Sequence, residues 1–153
     1  MLLDKQGMLA SAVFPEREPT QAQQLETLRR QVTWFWHDLS HFITAIRRGQ
    51  LVWAHGQLEA LRLYGSNLAR LRQNFLDGEV GAEGYFKLEQ ALPVAQLAPL
   101  AATYCPLDRD AMLQAARVII RFYQEQAQFL TQTHGVAYPA ALERVILERL
   151  ATL

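Results

Sequence analysis

Between Thr20 and Arg48, apolar residues recur at alternating spacings of three and four: Leu25, Leu28, Val32, Phe35, Leu39, Phe42 and Ile46. That period belongs to a helix with one buried stripe and to nothing else a chain can form. Thr20 is a suitable N-cap and Gly49 a suitable stop, so the spacing predicts a helix from about Thr20 to Arg48. A second stripe follows at once, through Leu51, Ala54, Leu58, Leu61, Gly65, Leu68 and Phe75. With only Gly49 and Gln50 between them, two such helices must fold back as an antiparallel hairpin, with Phe35, Phe42, Leu58 and Leu61 in one core.

The rest of the chain reads as material to cover that hairpin. Asp77 to Gly84 is rich in acid and glycine and reads as an exposed connection. Short helices are expected around Phe86 to Leu92 and Val94 to Tyr104, broken by Pro93 and Pro99. Asp108 is a good N-cap for a long helix to about Thr133, with Met112, Ala115, Ile119, Phe122 and Phe129 facing inward and Gly135 ending it. Pro139 opens a last helix whose inner residues are Leu142, Val145, Ile146 and Leu150. Residues 1 to 14 hold two short apolar runs around Asp4-Lys5-Gln6-Gly7, a hairpin pattern that needs a surface or a partner to lie on. The expected fold is all-α: a four- to five-helix up-and-down bundle over residues 17–153, with a short N-terminal β-hairpin and linker over 1–16.

Composition narrows the function classes. The 153 residues suit one domain with its own core, half of them hydrophobic, which excludes a disordered or collagen-like chain. Fifteen basic residues balance fifteen acidic ones, giving no global field to draw in nucleic acid or an anionic membrane. A single cysteine, Cys105, cannot form an internal disulfide, and no apolar run approaches a membrane span, so a cytoplasmic setting is expected. Thirteen of the fifteen basic residues are arginine, Lys5 and Lys87 being the exceptions, which suits carboxylate and phosphate contacts but also plain helix propensity.

On a wheel of about 100° per residue, Arg30, Trp34, His37, His41 and Arg48 fall in one arc roughly opposite Phe35. Such a face can stack on a planar ligand and hold its anionic groups, dock another subunit, or simply be covered by the shorter helices. His37 and His41 have the spacing of two metal ligands on one helix, but no glutamate directly follows the first histidine and no third ligand is evident, so no metal is assigned. Arg48 and His55 are separated by six residues, an interval that matches the arginine–histidine motif of the HEPN bundles, in which the pair acts on an RNA phosphate. Glu59 and Arg62 follow His55 at helical spacing, so an ion-pair ladder accounts for that histidine equally well. No phosphate loop, dinucleotide fingerprint or nucleophile elbow is present.

Four stretches carry a family resemblance. Leu2-Leu3-Asp4-Lys5-Gln6-Gly7-Met8-Leu9 resembles the closing strand and turn of the catalytic sheet in nucleotidyltransferases related to the aminoglycoside and lincosamide adenylyltransferases. Phe35-Trp36-His37 through Arg48 to His55, Leu92-Pro93 through Tyr104, and Tyr138-Pro139 through Val145 are similar to the helical C-terminal domain of that family, of which the HEPN bundles look like relatives. The resemblance implies a bundle that covers the nucleotidyl-transfer site and shapes the pocket for a small-molecule acceptor. The family's catalytic half begins with Gly-Ser on a helix followed by an Asp-x-Asp pair on a metal-binding strand. Nothing here supplies that half, since the chain reads as helical after its first residues and Asp4 sits in the turn rather than in the metal-binding strand. No catalytic residue is therefore carried over. Magnesium and a nucleotide are implied only for a catalytic subunit or domain acting as partner. The readings that remain are an accessory substrate-binding domain, acting with a catalytic subunit or as a homo-oligomer; a HEPN-type ribonuclease using Arg48 and His55, or a nucleotide-binding helical bundle; and a structural dimerising bundle.

Overall fold

The computed structural model describes residues 19–76 and 84–153, and among these the chain is entirely helical. The helices are α1 (Gln21–Arg47), α2 (Leu51–Gln73), α3 (Leu88–Ala91), α4 (Val94–Ala101), α5 (Arg109–His134) and α6 (Ala140–Leu150). The expected N-terminal β-hairpin lies outside the described residues.

Local chemistry sets the ends. Thr20 and Gln23 form a reciprocal capping box, the Gln23 amide donating to Thr20 Oγ1 over 3.3 Å and the Thr20 amide to Gln23 Oε1 over 2.8 Å. The hairpin turns at Gly49, whose φ of +67° is the left-handed conformation that a residue without Cβ adopts at little strain. Asp108 caps α5 by accepting from the Ala111 amide over 2.8 Å.

The core gathers on the hairpin. Phe35 stacks flat on Tyr123 at 3.5 Å between ring centroids, and Trp36 meets Tyr123 edge-on at 5.6 Å. All three are fully buried, as are Phe42, Leu58 and Leu61. The Tyr123 hydroxyl donates to the Val32 carbonyl over 2.9 Å, so the one polar atom of that ring is satisfied inside the core. At Gly65 a Cβ would lie 3.0 Å from Ile119 Cδ1 and 3.2 Å from Phe122 Cδ1, which lets α2 and α5 approach closely.

Chain direction departs from a simple up-and-down order. Gly65 faces Ile119 and Phe122, Arg72 bonds Glu125 and Gln126, and Phe75 stacks on His134, so α2 and α5 run side by side in the same direction. The segment holding α3 and α4 therefore carries the chain back along the bundle, packing on α2 and α5 as it goes. The α6 helix reverses again, with Arg109 bonded to the Leu153 carbonyl and Arg47 to the Arg149 carbonyl.

Several expected positions shift. Phe129 is 44% exposed rather than internal, because the Arg72 guanidinium, 4.3 Å from its ring centroid, covers one ring face in place of core side chains. Leu142 and Val145 are exposed as well: α6 lies at the bundle edge and buries only Ile146 and Leu150. Pro99 lies inside α4 instead of breaking it, since the helix ends two residues later and loses only that residue's missing N–H. None of the helices among the described residues is long and apolar enough to cross a membrane.

Candidate functional site

The arc on α1 and the start of α2 form one continuous row of rings. Trp34 meets His37 edge-on at 4.7 Å, His37 meets His41 at 4.6 Å, and His41 lies 5.9 Å from Trp53 of α2. Trp34 is 46% exposed and Trp53 38% exposed, so the row is open at both ends. Its middle is fixed by hydrogen bonds. Tyr64 of α2 donates to Asp38 Oδ2 over 3.0 Å, His37 Nδ1 lies 2.9 Å from Asp38 Oδ1, and the Nε2 atoms of His37 and His41 are 3.3 Å apart. One tautomer set satisfies all three contacts. His37 donates Nδ1–H to the carboxylate, which leaves its Nε2 as the acceptor for Nε2–H of His41. Burial and the Asp38 carboxylate push the Tyr64 hydroxyl up to about 12, against the opposing pull of the Arg30 charge, so it remains a donor at neutral pH.

Arg30 and Arg48, the outer members of the arc, are exposed on α1 and at its C-cap, while His41 is half-buried. The side chains of Arg48 and His55 make no hydrogen bond or ion pair with each other among the described residues, and His55 does not join the Glu59–Arg62 pair. The ladder thus has two members instead of three. Among the described residues there is no group of three or more histidine, cysteine, aspartate or glutamate side chains placed to hold a metal ion.

A second feature lies between α2, the turn before α3, and α4. Arg62 is only 1% exposed and lines a cavity of about 260 Å³ with Ser66, Tyr85 and Tyr104. Leu88, Leu97, Leu100 and Ala101 supply its apolar wall, and exposed Glu89 also borders it. Arg62 Nη1 pairs with Glu59, and the Tyr104 ring covers the guanidinium with its centroid 4.4 Å from Cζ. Arg62 Nε, Arg62 Nη2 and Ser66 Oγ are buried without a hydrogen-bond partner. Burial pushes the Tyr85 hydroxyl up to about 12 despite the nearby Arg62 charge. The enclosure is fastened by Arg70, which donates to the Phe86 carbonyl over 2.6 Å.

No protein-family model, curated protein or solved structure matches the chain.

Two functional candidates escape a reading of the sequence. Trp53 joins the row because the tight turn at Gly49 folds the first turns of α2 back against the last turns of α1, a consequence of hairpin register that a wheel of α1 alone does not contain. Arg62 reads from sequence as the end of an ion-pair ladder, and it is buried because α2 is covered on a second side by α3 and α4. Its signal was the run from Leu58 to Leu71, where small and apolar residues occupy more than one stripe of the helix.

Proposed function

We propose that the chain is a non-catalytic helical substrate-binding domain, of the kind that covers the transfer site in nucleotidyltransferases, and that it acts with a catalytic domain or subunit carrying the nucleotide and its magnesium. The observation behind this reading is the Trp34–His37–His41–Trp53 row. Two exposed indoles bracket an imidazole pair whose orientation is set by Asp38 and Tyr64. An ordinary solvated helix face has no reason to gather four rings edge-on or tilted to one another, whereas an aromatic surface whose exposed end indoles receive a planar ligand does. Arg30, one turn before Trp34, and Arg48, at the far end of the helix, place cations at the two ends for the ligand's anionic groups.

On this reading the chain alone supplies a platform and no chemistry. Incubated with magnesium, a radiolabelled nucleoside triphosphate and a panel of hydroxylated acceptors, it transfers no nucleotidyl group. Addition of a planar anion that is not a nucleotide, such as 1-naphthyl phosphate, as a stand-in for the acceptor should nonetheless shift the ring resonances of His37 and His41. Transfer by the isolated chain would contradict the proposal, as would imidazole resonances that ignore the planar anion.

A further inference from the structure

We infer that the cavity beside Arg62 is a binding site for a small monocarboxylic acid with an apolar body. The site shares no residue with the ring row, so it stands or falls independently of the function proposed above. Three observations converge on it.

The first is which atoms of Arg62 lack partners. Glu59 takes Nη1, leaving Nε and Nη2, both buried and unbonded. Those two nitrogens share the one guanidinium edge on which an Nε–H and an Nη–H bond run parallel. That edge matches the two oxygens of a carboxylate in a bidentate fork. A carbonyl or hydroxyl offers one oxygen and would leave one of the two donors unmet.

The second is the company of that edge. Ser66, whose Oγ is buried and unbonded, lines the same cavity. Tyr85 keeps its proton at any physiological pH and adds a further donor there. Its present contact, to the Glu59 carbonyl at 3.5 Å, is long enough to exchange for a better acceptor. Buried donors without an acceptor on two residues that line one pocket, Arg62 and Ser66, are a feature that folded chains otherwise avoid.

The third is size and charge. The volume of about 260 Å³ falls just below the ~300–1,000 Å³ of sites for drug-sized molecules, so the occupant is smaller than those. Leucines 88, 97 and 100 line its other side, which suits an alkyl or aryl body. Glu59 already balances part of the Arg62 charge and Glu89 borders the cavity. Glu59 is half-exposed and Glu89 exposed, so solvent screens both carboxylates while the Arg62 guanidinium is buried; a monoanion meets less repulsion from them than a phosphate dianion would.

Hexanoate is a suitable probe, with hexanamide and hexanol as controls of equal length. Calorimetric titration of the whole chain at neutral pH should give saturable one-to-one binding of hexanoate, at least tenfold weaker binding of both controls, and loss of hexanoate binding in Arg62→Met. Because a buried arginine can be needed for folding, the wild-type chain supplies an independent readout: the Nε–H proton resonance of Arg62 should move downfield as hexanoate is added and stay put with hexanol. Failure of hexanoate to saturate at millimolar concentrations would overturn the inference. Equal affinity for hexanol, or an Arg62 Nε–H signal indifferent to bound hexanoate, would overturn it too.

Discussion

Tyr64 on α2 donates its hydroxyl proton to Asp38 on α1 over 3.0 Å. The bond ties the two arms of the helical hairpin together on the side where the rings gather. Through the other Asp38 oxygen it also determines which nitrogen of His37 carries a proton, and through His37 the direction of the contact with His41. A residue on one helix thereby orients a pair of imidazoles on its neighbour.

Tyr64→Phe should release that orientation at modest cost to the fold. Loss of one hydrogen bond to a charged acceptor at a half-buried position costs about 1–2 kcal/mol, read from the urea midpoint. The nitrogen shifts of His37 should move from those of a single tautomer toward a mixture. Unchanged His37 shifts would show that Asp38 needs no help from Tyr64.

Alkaline titration followed by tyrosinate absorbance should show Tyr64 and Tyr85 ionising near 12, and Tyr138 and Tyr123 later still, all held up chiefly by burial. The unfolded chain releases these protons near 10. The folded state binds more protons across that interval, so stability is intact below pH ~10 and declines as the pH rises toward 12. Denaturation midpoints measured from pH 8 to 12 should fall in that window. Stability that rises across it would contradict the burial of these rings.

Phe35→Ala should be severely destabilising, by about 3–5 kcal/mol, because it removes the partner stacked on Tyr123 and leaves a cavity in a fully buried layer. Gly65→Val tests the close approach of α2 to α5 from the opposite direction. Added carbons would press on Ile119 and Phe122 and cost about 1–3 kcal/mol. A neutral Gly65→Val would mean that the two helices can separate freely.

The elements were legible where local chemistry decides them. The stripe through Phe35 and Phe42, the cap at Thr20, the reversal at Gly49 and the cap at Asp108 are all short-range, and each is where its residues place it. The side-by-side course of α2 and α5 was not legible, since it depends on how the proline-marked connection returns across the bundle. The exposed arc on α1 could be drawn from period alone, because Trp34 and His37 need only their own helix to share a face. Burial of Arg62 and exposure of Phe129, Leu142 and Val145 depend on which neighbours cover which stripe, and no single helix carries that information.

The central claim is that the Trp34 row binds a planar anionic ligand and is not part of the core. Calorimetric titration with 1-naphthyl phosphate, a planar anion that is not a nucleotide, of the wild-type chain and of Trp34→Ala, each with its urea midpoint, tests it directly. Saturable binding that weakens in the variant by about 1–3 kcal/mol, the usual loss for a stacking platform, with the midpoint nearly unchanged, is the predicted result. Unaltered binding together with a large drop in the midpoint would show that Trp34 serves the fold alone.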